Sequence, residues 1–282
     1  EKFYSETFFP KLKEEQIKFV LILGDTFDRR KYVNFYSLKR TKEMFFDPLK
    51  EMGCIVYMLA GNHDTYFKNT NDVNSVDLLL AEYDNIHVIS EPQNIDVGFK
   101  EIAMIPWICA DNYEKSINFI KDTKATICMG HFEIQGFEMY RGVPNAHGMS
   151  IDDFKHFKLV LSGHYHHRSS HGNIHYLGAP YEMVWSDCDD DRGFHWWTPE
   201  THDLEFVRNP YHLFYKFTYD DAHQPSPYVK TLLDRMAAEN LTQKIVKILV
   251  KQKTQPIWFD TFSDAVLKLG AHDIQFVDDT AW

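Results

Sequence analysis

No run of about 18 consecutive apolar residues occurs in this chain of 282 residues, so a membrane-spanning helix is not expected. Cysteine is scarce: Cys54, Cys109, Cys128 and Cys188 are the four, and none forms a Cys-x-x-Cys pair. Three of them (Cys54, Cys109 and Cys128) lie in or beside apolar, strand-like runs. They read as buried free thiols in a reducing cytoplasm, not as a disulfide framework. Internal repeats and low-complexity tracts are missing as well. Cations are outnumbered, 30 Lys and Arg against 41 Asp and Glu, which leaves a net charge of −11. That excludes a chain that coats DNA by bulk electrostatics. It leaves room for DNA at one local site, because bound divalent cations reverse the sign of a carboxylate-rich pocket.

Histidine, by contrast, is plentiful at 15 residues. Four polar clusters follow short apolar runs that read as β-strands. Lys18 to Leu23 leads into Gly24-Asp25-Thr26-Phe27-Asp28, and Cys54 to Leu59 into Gly61-Asn62-His63-Asp64. Thr126 to Met129 leads into Gly130-His131, and Lys158 to Leu161 into Gly163-His164-Tyr165-His166. Further strands are expected at Ile86 to Ile89 and Ile102 to Ile105. Helices are expected from Asn34 to about Met52, bent or ended by Pro48, from Asn74 or Ser75 to Tyr83, and from Tyr113 to Lys121. Such alternation implies a layered α/β core. From about Ile174 the chain turns strand-rich, with Gly193 to Trp197 as one strand. Beyond a boundary near Arg208 to Tyr211, strands at 213–217, 244–250 and 273–277 alternate with helices at 227–238 and 259–269. This divides the chain into a domain of residues 1–208 and a small α+β domain of 209–282.

Ligands of open α/β sheets bind beyond the carboxyl ends of the strands, so residues just after several strands converge. A glycine beside each cluster permits a tight turn and a close backbone approach. Carboxylate, amide and imidazole together suit manganese, iron or zinc better than calcium. Asp25 is the natural bridge between two cations. Asn62 offers a neutral oxygen, and His131, His164 and His166 offer nitrogens. His164 and His166, two apart on an extended segment, would point the same way. His63 suits a general acid, with Asp64 fixing its tautomer. Together with a water activated by the two cations, this arrangement predicts in-line hydrolysis of a phosphate ester. A single Gly-Asp is usually only a turn; the ordered set of four carries the reading.

The four clusters resemble those of the calcineurin-like metallophosphoesterase superfamily. More narrowly, the chain resembles the SbcD-type double-strand-break repair nucleases and their tailed-phage branch. That narrower likeness rests on Ile105-Pro106-Trp107, Met129-Gly130-His131-Phe132-Glu133, Tyr176-Leu177-Gly178-Ala179-Pro180 and Arg192-Gly193-Phe194 besides the loops themselves. The resemblance implies a four-layer αββα sandwich with a small capping domain that limits access of duplex DNA. It implies a manganese-dependent exo- and endonuclease acting on DNA ends, in recombination and repair, within a host cytoplasm. It implies a homodimer working with an SMC-like ATPase. Carried over by position, Asp25 bridges two ions, Asn62, His131 and His164 complete one site, His166 joins the other, and His63 is the acid.

The family's Asp-x-His at the end of a preceding strand has no counterpart here. Residues 1–16 look like the helix that follows that strand, so an N-terminally incomplete chain is expected, with Asp25 and His166 as the remnant of the second metal site, weakened cation binding there and impaired hydrolysis. A non-catalytic DNA-end-binding scaffold is the alternative this departure raises. Asp28 stands where some relatives have histidine. The family's ATPase-binding helices would lie beyond Trp282. A phosphatase of the same superfamily is a further alternative, since Gly24-Asp25-x-x-Asp28-Arg29 also occurs there; those enzymes usually carry Glu after Asn-His, where this chain has Asp64. Arg29, Arg30 and Lys31 read as phosphate contacts or as a solvated charge run. His147 is a candidate for lining the DNA path. Asp187 to Asp191 reads as a solvated acidic turn.

Overall fold

The computed structural model of the chain describes residues 1–98 and 100–278. They divide into two compact units, one of Glu1–Pro180 with Asp190–Pro210, the other of Tyr181–Asp189 with the chain from Tyr211 on.

In the first unit, a wide π-type turn (Tyr4–Phe8) runs into α1 (Phe9–Glu14), and β1 (Phe19–Ile22) follows. The helix predicted after the first cluster begins as expected, with the Asn34 side chain accepting from Tyr36 and Ser37 N–H groups at 2.9 and 3.1 Å. It continues past Pro48 as α2 (Phe35–Thr41), a π-type turn (Lys42–Phe46) and α3 (Asp47–Glu51). The widened turn, in which Asp47 N–H reaches the Lys42 carbonyl, makes room for the proline that an ordinary helix would not accept. Next come β2 (Ile55–Leu59), α4 (Ser75–Leu79), β3 (Ile86–Ile89), β4 (Gln93–Val97), β5 (Lys100–Ile105), α5 (Tyr113–Asp122), β6 (Ile127–Gly130) and the hairpin β7 (Glu138–Tyr140) and β8 (Val143–Pro144). The unit ends with β9 (Leu159–Ser162), β10 (Ser169–His171), β11 (Ile174–Tyr176), β12 (Gly193–Thr198) and β13 (Asp203–Arg208).

Strands β1, β2 and β3 form one parallel sheet in that order. A second sheet runs β10-β11-β9-β6-β5-β4, parallel at its centre with an antiparallel strand at each edge. Leu23, Leu59 and Ile89 at the first sheet pack with Ile102, Met104, Met129 and Leu161 of the second, so the sheets face one another across an apolar core. The opposite face of the second sheet (Ala103, Ile105, Cys128, Val160) packs with Ile120 of α5 and with Phe154. On β2 the residues facing away from the inter-sheet core, Val56 and Met58, are fully buried, as are Phe46 and Leu49 of the helical stretch. This is the four-layer α/β arrangement, built from period-two alternation in strands buried on both faces. All four cysteines are free and buried.

The second unit holds β14 (Phe214–Asp220), α6 (Tyr228–Ala238), β15 (Ile245–Gln252), α7 (Pro256–Val266) and β16 (Asp273–Asp278), with β15 central in a parallel three-stranded sheet. Its core comprises Phe217, Tyr219, Met236, Val246, Ile248, Phe262 and Val266. Among the described residues, no helix is long and apolar enough to cross a membrane.

Candidate metal centre

The ends of β1, β2, β6 and β9 bring the four predicted clusters together. After β1 the chain turns sharply, with Gly24 at φ +94° and Asp25 at φ +55°. A Cβ on Gly24 would stand 2.3 Å from His131 Nδ1, and one on Gly61 would stand 2.2 Å from the Asp25 nitrogen. Glycine at these two positions is what lets the loops touch.

Asp25, His131 and His164 place one ligand atom each within 4.8 Å of one another. Asp25 Oδ2 lies 3.3 Å from His131 Nε2. Asn62 Oδ1 lies 2.9 Å from His131 Nε2 and 2.9 Å from His164 Nδ1. His131 is fully buried, and its Nδ1–H donates to the Leu23 carbonyl at 2.7 Å. That bond fixes Nε2 as the atom facing the two oxygens. Lone pairs of a carboxylate, an amide and an imidazole therefore confront each other, an arrangement relieved by a proton on His131 or by a cation. The donor set fits a divalent transition metal of intermediate hardness, and the Leu23 carbonyl orients His131 as outer partners of metal ligands do.

Electrostatics agree with that fit. Burial works to raise the Asp25 carboxyl, but the His131 imidazole and the His63 backbone N–H outweigh it and bring it to about 2. Burial likewise disfavours charge on His131, yet the Asp25 carboxylate beside it leaves its pKa raised. Burial and the neighbouring His131 hold His164 down at about 3, which keeps that imidazole neutral.

The other predicted residues fall in different settings. His63 is exposed; its backbone N–H donates to Asp25 Oδ1 at 2.7 Å, and its Nδ1 donates to the Asp28 carbonyl at 2.6 Å. The group that fixes the His63 ring is thus a backbone carbonyl. Asp64, expected in that role, is fully buried and accepts instead from the N–H groups of Gly61 (2.9 Å), Phe27 (3.1 Å) and Thr26 (3.3 Å). It ties the first two loops together, and its burial pushes its pKa up to about 6. His166 lies outside the Asp25–His131–His164 cluster. The extended-strand argument for it does not apply, because β9 ends at Ser162 and His164 is left-handed at φ +79°. Arg30 bonds the Thr65 hydroxyl at 3.0 Å and the carbonyls of Thr65 and Phe67, whereas Arg29 is exposed and paired with Asp28 at 3.3 Å. His147 is exposed between β8 and β9, its N–H bonded to Asn145 Oδ1 at 3.0 Å. The acidic run is not a solvated turn throughout: Asp187 is fully buried and accepts from the Met183 and Val184 N–H groups.

Trp107 has a role that the sequence motif alone did not specify. Its backbone N–H donates to the Ala60 carbonyl at 2.9 Å, and its ring meets His131 edge-on at 6.0 Å and His164 at 5.3 Å. It walls both imidazoles. The available signal was its position just past the end of β5, one more strand of the same sheet.

The calcineurin-like phosphoesterase family pattern matches residues 3–168. Exonuclease subunit 1 of Enterobacteria phage T4 is 36% identical over 186 residues, 66% of this chain and 54% of that protein. The chain spans about half the length of this curated relative. The family match runs from the first helix through His166 and covers more than half of the residues, so the chain belongs to the calcineurin-like phosphoesterase family.

Proposed function

We propose that the chain is a metal-dependent phosphodiesterase that cuts DNA, the nuclease subunit of a recombination and repair complex. The observation that carries this reading is the convergence of Asp25 Oδ2, Asn62 Oδ1, His131 Nε2 and His164 Nδ1 beside an exposed His63. The exonuclease-subunit name of the phage relative supports a nucleic acid as the substrate. Asp25, Asn62, His131 and His164 hold one divalent cation; the mixed oxygen and nitrogen donors suit manganese, iron or zinc alike, and manganese is taken from the resemblance to the nuclease family. Asp25 and His166 are this chain's contribution to a second. When bound, the cations polarise the phosphate and lower the pKa of the attacking water. His63 protonates the leaving oxygen. Its Nδ1–H is held by the Asp28 carbonyl, so Nε2 of the imidazolium is the atom that gives up the proton. Arg29, exposed next to that loop, and His147 contact DNA phosphates, while Arg30 stiffens the loop after β2. Residues 209–282 form a DNA-binding capping domain. An SMC-like ATPase, a second copy of the chain and DNA ends are the partners, in a cytoplasmic setting.

The test compares Mn²⁺-dependent release of nucleotides from linear duplex DNA with hydrolysis of an aryl phosphomonoester. Slow nucleotide release that chelation abolishes is expected, slow because Asp25 and His166 alone hold the second cation weakly. Strong aryl phosphate turnover without DNA cleavage would overturn the proposal.

A further inference from the structure

Two motifs, Tyr176-Leu177-Gly178-Ala179-Pro180 and Arg192-Gly193-Phe194, take no part in the chemistry above. Both close on one atom, the backbone carbonyl oxygen of His166. The Ala179 N–H donates to it at 3.1 Å, and so does Arg192 Nη1. Gly178 is at φ +73°, and a Cβ there would stand 2.9 Å from the same oxygen.

Arg192 is itself held on several sides. Its Nη2 donates to Asp190 Oδ2 at 2.8 Å, and that oxygen also meets His167 Nδ1 at 2.8 Å. His167 Nε2 in turn lies 3.4 Å from Glu138 Oε2 of β7. The Arg192 carbonyl accepts from the Asn209 N–H at 2.7 Å, and Asn209 Nδ2 donates to the Pro180 carbonyl at 3.0 Å. Only 4% of the Arg192 side chain and 11% of the Asp190 side chain are exposed.

Burying a guanidinium is costly unless its charge and donors are met. The segment from Gly163 to Arg168 belongs to no strand and carries a left-handed His164, so no sheet ladder sets its path. A planar guanidinium can hold two acceptors in fixed directions at once. Here one acceptor is the carbonyl of a candidate ligand residue and the other is a carboxylate.

We propose that Arg192, held by Asp190, is a positioning residue that clamps the His166 carbonyl and so sets the His164–His166 segment for cation binding. This rests on the metal-site reading of the proposed function.

The experiment titrates the full chain with Mn²⁺ by calorimetry, alongside thermal melts and hydrogen exchange over residues 163–168. Arg192→Lys keeps the charge beside Asp190 but lacks the fork, so it reaches one acceptor. Mn²⁺ affinity is expected to fall about 10–100-fold, with faster exchange confined to 163–168. Asp190→Asn, a second route to the same loss, shifts both readouts in the same direction. Arg208→Ala removes an exposed pair with Asp191 and leaves Mn²⁺ affinity unchanged. Parental affinity in both Arg192→Lys and Asp190→Asn would overturn the clamp while leaving the metal-site reading intact. An affinity loss with faster exchange throughout the chain would mark a general structural role and also overturn it. A parent chain that binds no Mn²⁺ would overturn both readings.

Discussion

Replacing Asp64 by alanine removes the acceptor shared by three backbone donors at the junction of the first two loops. The Gly61 and Phe27 N–H groups lose their partner in a buried setting and the Thr26 N–H group in a half-buried one. Each orphaned buried donor costs roughly 1–3 kcal/mol. Part of this is offset, because the carboxyl is itself held near 6 by burial. Two pKa units of disfavoured charge correspond to ~3 kcal/mol regained when the carboxylate is removed. The net is a destabilisation of ~3 kcal/mol, or a melting shift of about 6–12 °C for a unit of this size. Asp64→Asn, which keeps the shape and one acceptor oxygen, falls between this variant and the parent. The pH dependence has a definite sign. With its folded pKa raised from 3.8 to about 6, Asp64 binds a proton more readily in the folded than in the unfolded chain. Its contribution to stability is full below pH 4 and is lost as pH rises through about 6. The stability difference between parent and Asp64→Asn, followed by calorimetry from pH 4 to 7, therefore moves against the parent. An Asp64→Ala protein that melts with the parent but has lost only cleavage would refute the reasoning and return Asp64 to the chemistry.

Gly61→Ala places a Cβ 2.3 Å from Asp25 Oδ1; overpacking of this kind costs ~1–3 kcal/mol, and calorimetry should record Mn²⁺ affinity at least ~10-fold weaker. Because the Asp25 carboxylate holds the His131 pKa up, protons compete for that nitrogen, so Mn²⁺ affinity falls as pH is lowered and binding releases protons; titrations in buffers of different ionisation enthalpy that detect no proton release would contradict this. His164, at about 3, adds nothing to that dependence above pH 5. His63→Gln leaves Mn²⁺ affinity intact and lowers cleavage by about 10²–10⁴-fold; unchanged single-turnover rates would reject its role as acid.

The strand ends were legible because each is a short apolar run stopped by a polar turn, as in Ile55–Leu59 before Gly61. Caps were legible for the same local reason: Asn34 and Asn74 both accept from the helical N–H groups after them. The edge strand β4, Gln-Asn-Ile-Asp-Val, escaped notice because its burial is slight and its residues are polar. Pro48 does not end the helical stretch, because the π-type turn just before it accommodates the ring and the helix runs on to Glu51. At the site, residue types and order gave the convergence of Asp25, Asn62, His131 and His164. They did not give the partner of Asp64, because a carboxylate next to a histidine in sequence can turn inward to backbone donors. Nor did they give Arg192, whose link to His166 spans 26 residues and exists only through the tertiary fold.

The most direct test of the central claim is anomalous diffraction from crystals of the chain equilibrated with Mn²⁺. The strongest anomalous peak is expected within coordination distance of Asp25 Oδ2, Asn62 Oδ1, His131 Nε2 and His164 Nδ1 together. A peak elsewhere, with those four atoms still bonded only to each other, would contradict it.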